Sequence, residues 1–474
     1  MISTVPGRKL WLPLVLVVVN ILLVILSGII GSLIPVLVIG SIMLLGVLII
    51  SYYYPRFNIL FLLACGLLIP FLMRALSLYD IPIGLASEAL CVILLLTITL
   101  NKRIAGLKSL PGVLILVWIA FLSIELFNPV AASRVAGFVS LRGLLPFICS
   151  YFLMYSSVEG IYDVKIFIKG WFVLCSLAGL YGLYQEFAGL PSFDMAWATH
   201  DENLYGALFT WGRLRKFSFF VSPSEFAIVM VVTGLAGLVL LFFEKPKSQL
   251  FFYSGITALI CLWAMIYTGS RTAMVMLPAG FMALLIITLK RKVFIVVGVL
   301  VVMGTLLMLR PTSNALFVMS TAFSGTDDPS MNVRLKNQQI IRAYILDHPI
   351  GFGLGSTGYL GMKYSPESFV ANFPPDSEYV RVAIETGWIG LLIWCIIQAI
   401  LFGYGVSVYF KVPSKWKGVI VMILVSLFML IIAQYPQEIF RSQVLTVLYC
   451  GMLGMLAKID HLYQSKSLSE SLFE

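Results

Sequence analysis

Charge is scarce in this chain: only 11% of its 474 residues are Asp, Glu, Lys or Arg, about half the share that water-soluble chains carry. Together with 60% hydrophobic residues and a mean hydropathy of +1.00, that shortage excludes an ordinary soluble domain. Histidine is rarer still. His200, His348 and His461 are the only three, and none lies at a metal-ligand spacing from a cysteine, so no zinc site is indicated. The seven cysteines, Cys65, Cys91, Cys149, Cys175, Cys261, Cys395 and Cys450, all fall inside apolar runs, which argues against a disulfide framework. No small-residue cleavage site follows the first apolar stretch and a second stretch follows almost at once, so a cleavable signal peptide is not expected. Internal repeats are absent by eye, which removes support for an inverted-repeat transporter.

What is present is a series of apolar runs of roughly 17 to 25 residues, the length a helix needs to cross a bilayer while satisfying its own backbone hydrogen bonds. The runs predict an all-α polytopic membrane protein, one transmembrane domain over 1–474 with about fourteen spans: 11–27, 33–50, 57–73, 83–100, 111–127, 138–155, 167–188, 224–243, 250–268, 272–289, 293–309, 379–403, 418–433 and 440–457. Lys and Arg of the short loops alternate strictly to one side, which places both termini in the cytoplasm. Two long hydrophilic stretches then fall outside, at 189–223 and 310–378. The second lies between spans 11 and 12 and carries Arg310, Arg334, Lys336, Arg342, Lys363 and Arg381 against Asp327, Asp328, Asp347, Asp376 and Glu378.

The kind of cation differs between the two sides. The inner set holds fourteen Lys and four Arg, the remainder three Lys and eleven Arg. A guanidinium grips phosphate oxygens bidentately and stays charged, so an Arg-rich outer side suits an anionic ligand such as a pyrophosphate; pairing with carboxylates or lipid headgroups is the structural alternative. Glu88, Glu125, Arg142, Glu186, Glu225, Glu385 and Arg441 all fall in the outer parts of predicted spans. Such residues are costly in lipid unless paired or hydrated, so their clustering predicts a polar cavity opening outward. Arg142 with Glu125 forms either a structural pair or part of a ligand site. Pro35, Pro70, Pro146 and Pro278 are expected to kink their helices.

Within the larger loop, Asp328-Pro329-Ser330 is a helix start, and Val333, Ile340, Ile341, Tyr344 and Ile345 give the following run an apolar stripe, so an amphipathic helix is expected over 331–346, with Arg334, Lys336 and Arg342 on other faces. His348-Pro-Ile-Gly-Phe-Gly-Leu-Gly355 permits tight turns and close backbone approach but follows no strand, so it is weak evidence for a phosphate cradle. The stretch from Met362 to Pro375 reads as a mobile lid.

Three stretches resemble the bacterial O-antigen polymerase and O-antigen ligase superfamily. Arg215-Lys-Phe-Ser-Phe-Phe-Val-Ser-Pro-Ser-Glu-Phe-Ala227 is similar to that family's arginine, aromatic, proline and small-residue helix start; Thr268-Gly-Ser-Arg-Thr-Ala273 to its Ser-Arg turn between two spans; and His348 to Gly353, with Asp376 to Gly390, to its His-Pro-x-Gly-x-Gly segment and later Tyr, Glu and Gly spacing. The resemblance covers about 205–400. Where ligases of the family have a histidine three residues before the tyrosine, this chain has Asp376, which favours a polymerase.

The resemblance implies glycosyl transfer on the outer face of the bacterial cytoplasmic membrane, from a polyprenyl-pyrophosphate-linked oligosaccharide to a sugar hydroxyl of another. Arg215 and Arg271 would hold the pyrophosphate, with Arg142, Arg381 and Arg441 as further candidates and Arg213 and Lys216 as alternatives to Arg215. Asp376 or Glu378 would accept the proton of the attacking hydroxyl; Asp376 also suits a helix N-cap. A single inverting displacement without metal or cofactor is expected. The implied partners are the lipid-linked glycan, membrane lipid and a chain-length regulator protein, with no nucleic acid. A ligase to a lipid or protein acceptor and a flippase are the alternatives.

Overall fold

The computed structural model describes residues 46–78, 83–100, 105–210, 212–309 and 329–471. In chain order these form α1 (Asn58–Ala75), α2 (Ile83–Leu100), α3 (Leu110–Glu125), α4 (Arg134–Arg142), α5 (Leu145–Ser157), α6 (Ile161–Phe187), α7 (Ser192–Ala198), α8 (Glu202–Leu208), a two-stranded hairpin of β1 (Phe209–Thr210) and β2 (Arg213–Leu214), α9 (Pro223–Leu241), α10 (Gln249–Ile266), α11 (Arg271–Thr288), α12 (Arg291–Leu309), α13 (Pro329–Asp347), α14 (Gly358–Tyr364), α15 (Glu378–Lys411), α16 (Ser414–Ala433) and α17 (Gln443–Ser471).

Among the described residues nine helical stretches are long and apolar enough to cross a membrane, with α3 and the Ser87–Leu100 part of α2 as shorter apolar helices. Helices stand at twelve of the fourteen expected spans; the first two expected spans lie outside the described residues, apart from a helical piece at 46–50. Local sequence explains the helix starts. Ser109, Ser133, Ser222, Ser248 and Ser377 each accept a backbone N–H of the first turn, satisfying a donor that the helix itself cannot.

The core is set by α9, α16 and α17, where 78%, 78% and 89% of the apolar window is buried against half or less in the other spanning helices. α9 packs on α10, α16 and α11, and α17 on α5. Close approach of α9 and α10 needs a small residue, since a side chain at Gly237 would stand 2.6 Å from the Ser254 carbonyl oxygen.

Several expectations change. Pro146 does not kink a helix: the expected span 138–155 is two helices, and Pro146 sits in the first turn of α5, where its missing N–H costs nothing. Arg441 is not in a span but in a 3-10 turn, Ile439–Arg441, before α17. The amphipathic helix is present as α13, with Lys336 and Arg342 exposed as expected, but its stripe is narrower: Ile341 is buried and Ile345 half-buried, while Ile340 and Tyr344 are exposed. Arg310, Asp327 and Asp328 lie outside the described residues. The stretch expected to be a mobile lid contains regular structure. It takes in the end of α14 and a 3-10 turn, Phe369–Asn372, and Val370 and Phe373 join Ile341 and Ile384 in a small apolar core of their own.

One feature of α15 governs its surroundings. The helix breaks at Gly387 (φ 69°, ψ −177°), which leaves carbonyls without helical partners inside the bundle. The His348–Gly355 stretch supplies those partners. Phe352 N donates to the Ile384 carbonyl (2.9 Å), Gly353 N to the Glu385 carbonyl (3.0 Å), and Ile389 N returns to the Pro349 carbonyl (3.3 Å). Asn128 Nδ2 donates to the Ile350 carbonyl (2.9 Å) and holds the loop in place. The glycines suspected of cradling phosphate therefore cap a helix break instead.

A Cβ at Gly387 would lie 2.0 Å from the Pro349 oxygen in a backbone region open essentially to glycine alone. Gly387→Ala should cost at least about 1–3 kcal/mol from the backbone alone, read as a lowered Tm in detergent. Gly403→Ala, in the same helix with open space around it, should leave Tm nearly unchanged; equal shifts in the two variants would contradict the capped break.

Candidate functional site

The loop ends that precede α9 and α11 come together through backbone. β2 delivers Arg215, whose N–H bonds the Leu208 carbonyl (2.9 Å), and Lys216 N donates to the Tyr267 carbonyl (3.3 Å). Arg215 Nε then donates to the Thr268 carbonyl (2.9 Å) and its terminal nitrogen to Ser224 Oγ (3.4 Å). Gly269 lies against the stem of Arg215: a Cβ added at Gly269 would stand 3.4 Å from Arg215 Cγ. Arg271 opens α11 two residues further on.

The two guanidiniums are near enough to interact. Burial and the charge of Arg271 push Arg215 down to about 10, so it remains a cation at neutral pH. Among the described residues no carboxylate pairs with Arg215. Its neighbours are differently placed: Arg213 and Lys216 both reach Glu186, at 2.5 and 3.5 Å. Those ion pairs single out Arg215 from the two alternatives that the sequence left open.

Arg381 has the opposite surroundings. It pairs with Glu378, with Glu438 (3.4 Å) and with Glu385 (3.6 Å), and Arg441 meets the same Glu438 at 2.7 Å. Three carboxylates against two guanidiniums leave this cluster without surplus positive charge. Burial pushes the Glu438 carboxyl up, against the pull of Arg441 and Arg381. Glu378 is fixed further by the Phe440 N–H on Oε2 (3.3 Å), and its own N–H donates to the Gln434 carbonyl (2.9 Å). Asp376 is exposed in a left-handed conformation (φ 48°) and is not the helix cap: Ser377 occupies that position, with its Oγ accepting from Val380 N (3.4 Å). A carboxylate one residue earlier is thus left open to solvent rather than committed to the helix.

Arg142 pairs with Glu88 (2.7 Å), not with Glu125, which instead accepts from Asn128 Nδ2 (3.0 Å). The five arginines considered for pyrophosphate therefore fall into three places. Arg215 with Arg271 is one, Arg381 with Arg441 the second, and Arg142 the third.

Several residues of this end of the bundle were not singled out in the sequence. Arg74 is buried in a closed set of partners, Asp194 (2.9 Å), the Phe220 carbonyl (2.7 Å) and the Ser218 carbonyl, between the rings of Trp197 and Phe217. Asp194 also accepts from Tyr181 (2.7 Å) and Gln185 (2.8 Å). That network ties the segment before α9 to α1, α6 and α7. Glu438, which couples Arg381 to Arg441, sits in a short polar turn whose importance no motif signals. Beside it a cavity of about 410 Å³ opens between α1, α2, α9 and the turn before α17.

Residues 256–395 match the family model described as O-Antigen ligase. That match supports an assignment to the O-antigen polymerase and ligase superfamily. No curated protein matches the chain. The superfamily match runs from α10 into α15 and contains Arg271, Asp376, Glu378 and Arg381; Arg142, Arg215 and Arg441 lie outside it.

The arginine cluster makes a stability prediction. Arg381→Ala leaves Glu378 and Glu385 buried beside no central cation and should cost about 3–5 kcal/mol, whereas Arg441→Ala, at a side chain 43% exposed, should cost under about 1 kcal/mol. Thermal unfolding of the two variants in the same detergent distinguishes them; an Arg441 loss as large as the Arg381 loss would contradict the structural role given to Arg381.

Proposed function

We propose that this chain is a polysaccharide polymerase. It transfers an oligosaccharide from a polyprenyl-pyrophosphate carrier to a sugar hydroxyl of a second lipid-linked repeat unit, on the outer face of the bacterial cytoplasmic membrane. The observation that carries the reading is the seat of Arg215, whose Nε donates to the Thr268 carbonyl in the turn that leads to Arg271. Burial and the nearby charge of Arg271 raise the energy of the Arg215 cation, with which no carboxylate pairs among the described residues, and a doubly charged anion relieves that cost. Negative charge grows on the pyrophosphate as the glycosidic bond to it breaks, so preorganised guanidiniums lower the barrier by binding the leaving group more tightly than the ground state. Arginines carry this role without a metal.

The attacking hydroxyl must lose its proton. Asp376 is the better placed of the two expected bases, because it is exposed, while Glu378 is already committed to Arg381 and the Phe440 N–H. Arg381 is a structural cation here and is withdrawn from the pyrophosphate site. A direct displacement by the hydroxyl inverts the anomeric configuration. The ligase reading is kept as the second one, since the matched family model is itself described as a ligase.

Deletion of the gene and a gel of surface glycans separate the readings. A single repeat unit on its acceptor supports the polymerase; loss of all attached glycan with lipid-linked polymer accumulating supports the ligase; normal polymer overturns both. In a complemented strain Arg215→Ala should lower polymer synthesis by about 100- to 1000-fold at unchanged membrane abundance. Arg215→Lys should restore only part of it, because an ammonium lacks the planar fork.

A further inference from the structure

We propose that the cavity beside Glu438 is a binding site for an uncharged, hydroxyl-rich glycan segment, separate from the anion site at Arg215 and Arg271. The inference rests on the glycosyl-transfer reading and adds where the sugars sit. At about 410 Å³ the cavity falls within the range of small-ligand sites, roughly 300–1,000 Å³. Its wall carries the carboxylates of Glu225 and Glu438, the carboxamides of Gln437 and Gln443 and the hydroxyls of Ser87 and Ser222. Carboxylates accept from sugar hydroxyls, and carboxamides and hydroxyls both donate and accept, which is the complement of a polyol.

Charge decides against an anion. Arg441 also lines the cavity, but Glu438 holds it at 2.7 Å, and Glu225 adds a second carboxyl group. Among the described residues the Glu225 carboxylate receives one side-chain hydrogen bond, from Ser442 Oγ. A pyrophosphate entering here would meet an arginine already paired with Glu438 and a further carboxyl group, while at Arg215 it meets two guanidiniums. The two places are joined by one turn of chain. Ser224 accepts from Arg215 and Ser222 lines the cavity, and both belong to the start of α9, with Glu225 directly after. A pyrophosphate at Arg215 thus has its attached or attacking sugars within reach of Glu225.

Two variants of the full-length protein in lipid nanodiscs test this. Glu225→Gln keeps the shape and replaces the carboxyl group by a carboxamide. Gly84→Phe adds bulk at a cavity wall where an added Cβ meets only Glu88 Oε1, at 3.9 Å. The probes are polyprenyl pyrophosphate without sugar, and the oligosaccharide released by mild acid from the host's own surface glycan. Both variants should weaken oligosaccharide binding by about tenfold or more and leave the pyrophosphate probe unchanged, and Arg215→Ala should do the reverse. Unchanged oligosaccharide affinity in both variants, or no oligosaccharide binding by the wild type, overturns the cavity assignment even if polymer synthesis still depends on Arg215. Cavity-dependent oligosaccharide binding with Arg215-independent polymer synthesis would uphold the cavity and reject the pyrophosphate site alone.

Discussion

A helix broken inside an apolar bundle exposes carbonyls that neither lipid nor a neighbouring helix can satisfy, and much of this end of the molecule follows from how that problem is met. The loop 349–353 donates to Ile384 and Glu385 and accepts from Ile389, closing the break at Gly387. Because the cap is backbone to backbone, it fixes the direction of the Glu378–Thr386 segment. That segment then presents Glu378, Arg381 and Glu385 on one side, where the turn bearing Glu438 and Arg441 completes the charge balance. Asn128, the apolar core around Ile341 and Phe373, and the Gln434 carbonyl secure the same segment from other directions.

Two different electrostatic environments stand beside it. Arg215 is bonded to the turn that leads to Arg271, and burial together with the charge of Arg271 raises the cost of its own. Around Arg381, carboxylates outnumber guanidiniums and burial is tolerated because each charge has a partner. The proposed reaction uses the difference: the leaving pyrophosphate goes to the first, and the neutral sugars to the cavity that borders the second. An exposed Asp376 lies just before α15, near enough for its charge to add to the burial that pushes the Glu438 carboxyl up.

Helical architecture was legible in the sequence because apolar length and serine or proline helix starts are local properties. The helix α13 and the exposure of Lys336 and Arg342 were legible for the same reason. The cap at Gly387 was not, because the glycines of 351–353 and Gly387 are over thirty residues apart and a Gly-rich loop reads alike whether it approaches phosphate or backbone. Ion-pair partners were equally hidden: Arg142 could be matched to Glu125 by span position, but only packing of α2 beside α5 brings Glu88 to it. The cap of α15 was misplaced by one residue, since Asp376 and Ser377 are both good caps and the left-handed turn at Asp376 decides between them. Arg215 and Arg271 could be proposed together from a family resemblance; the bonds of Arg215 and Lys216 to the Thr268 and Tyr267 carbonyls are what join their loops.

The central claim is that Arg215 and Arg271 form one anion site for the carrier pyrophosphate. The most direct measurement is an experimental structure of the full-length protein in lipid with polyprenyl pyrophosphate bound. The account predicts phosphate oxygens within about 3.2 Å of both guanidiniums, with the Glu378–Arg381–Glu438 cluster unchanged. Phosphate bound instead at Arg142, or at Arg441 with Glu438 displaced, would contradict it.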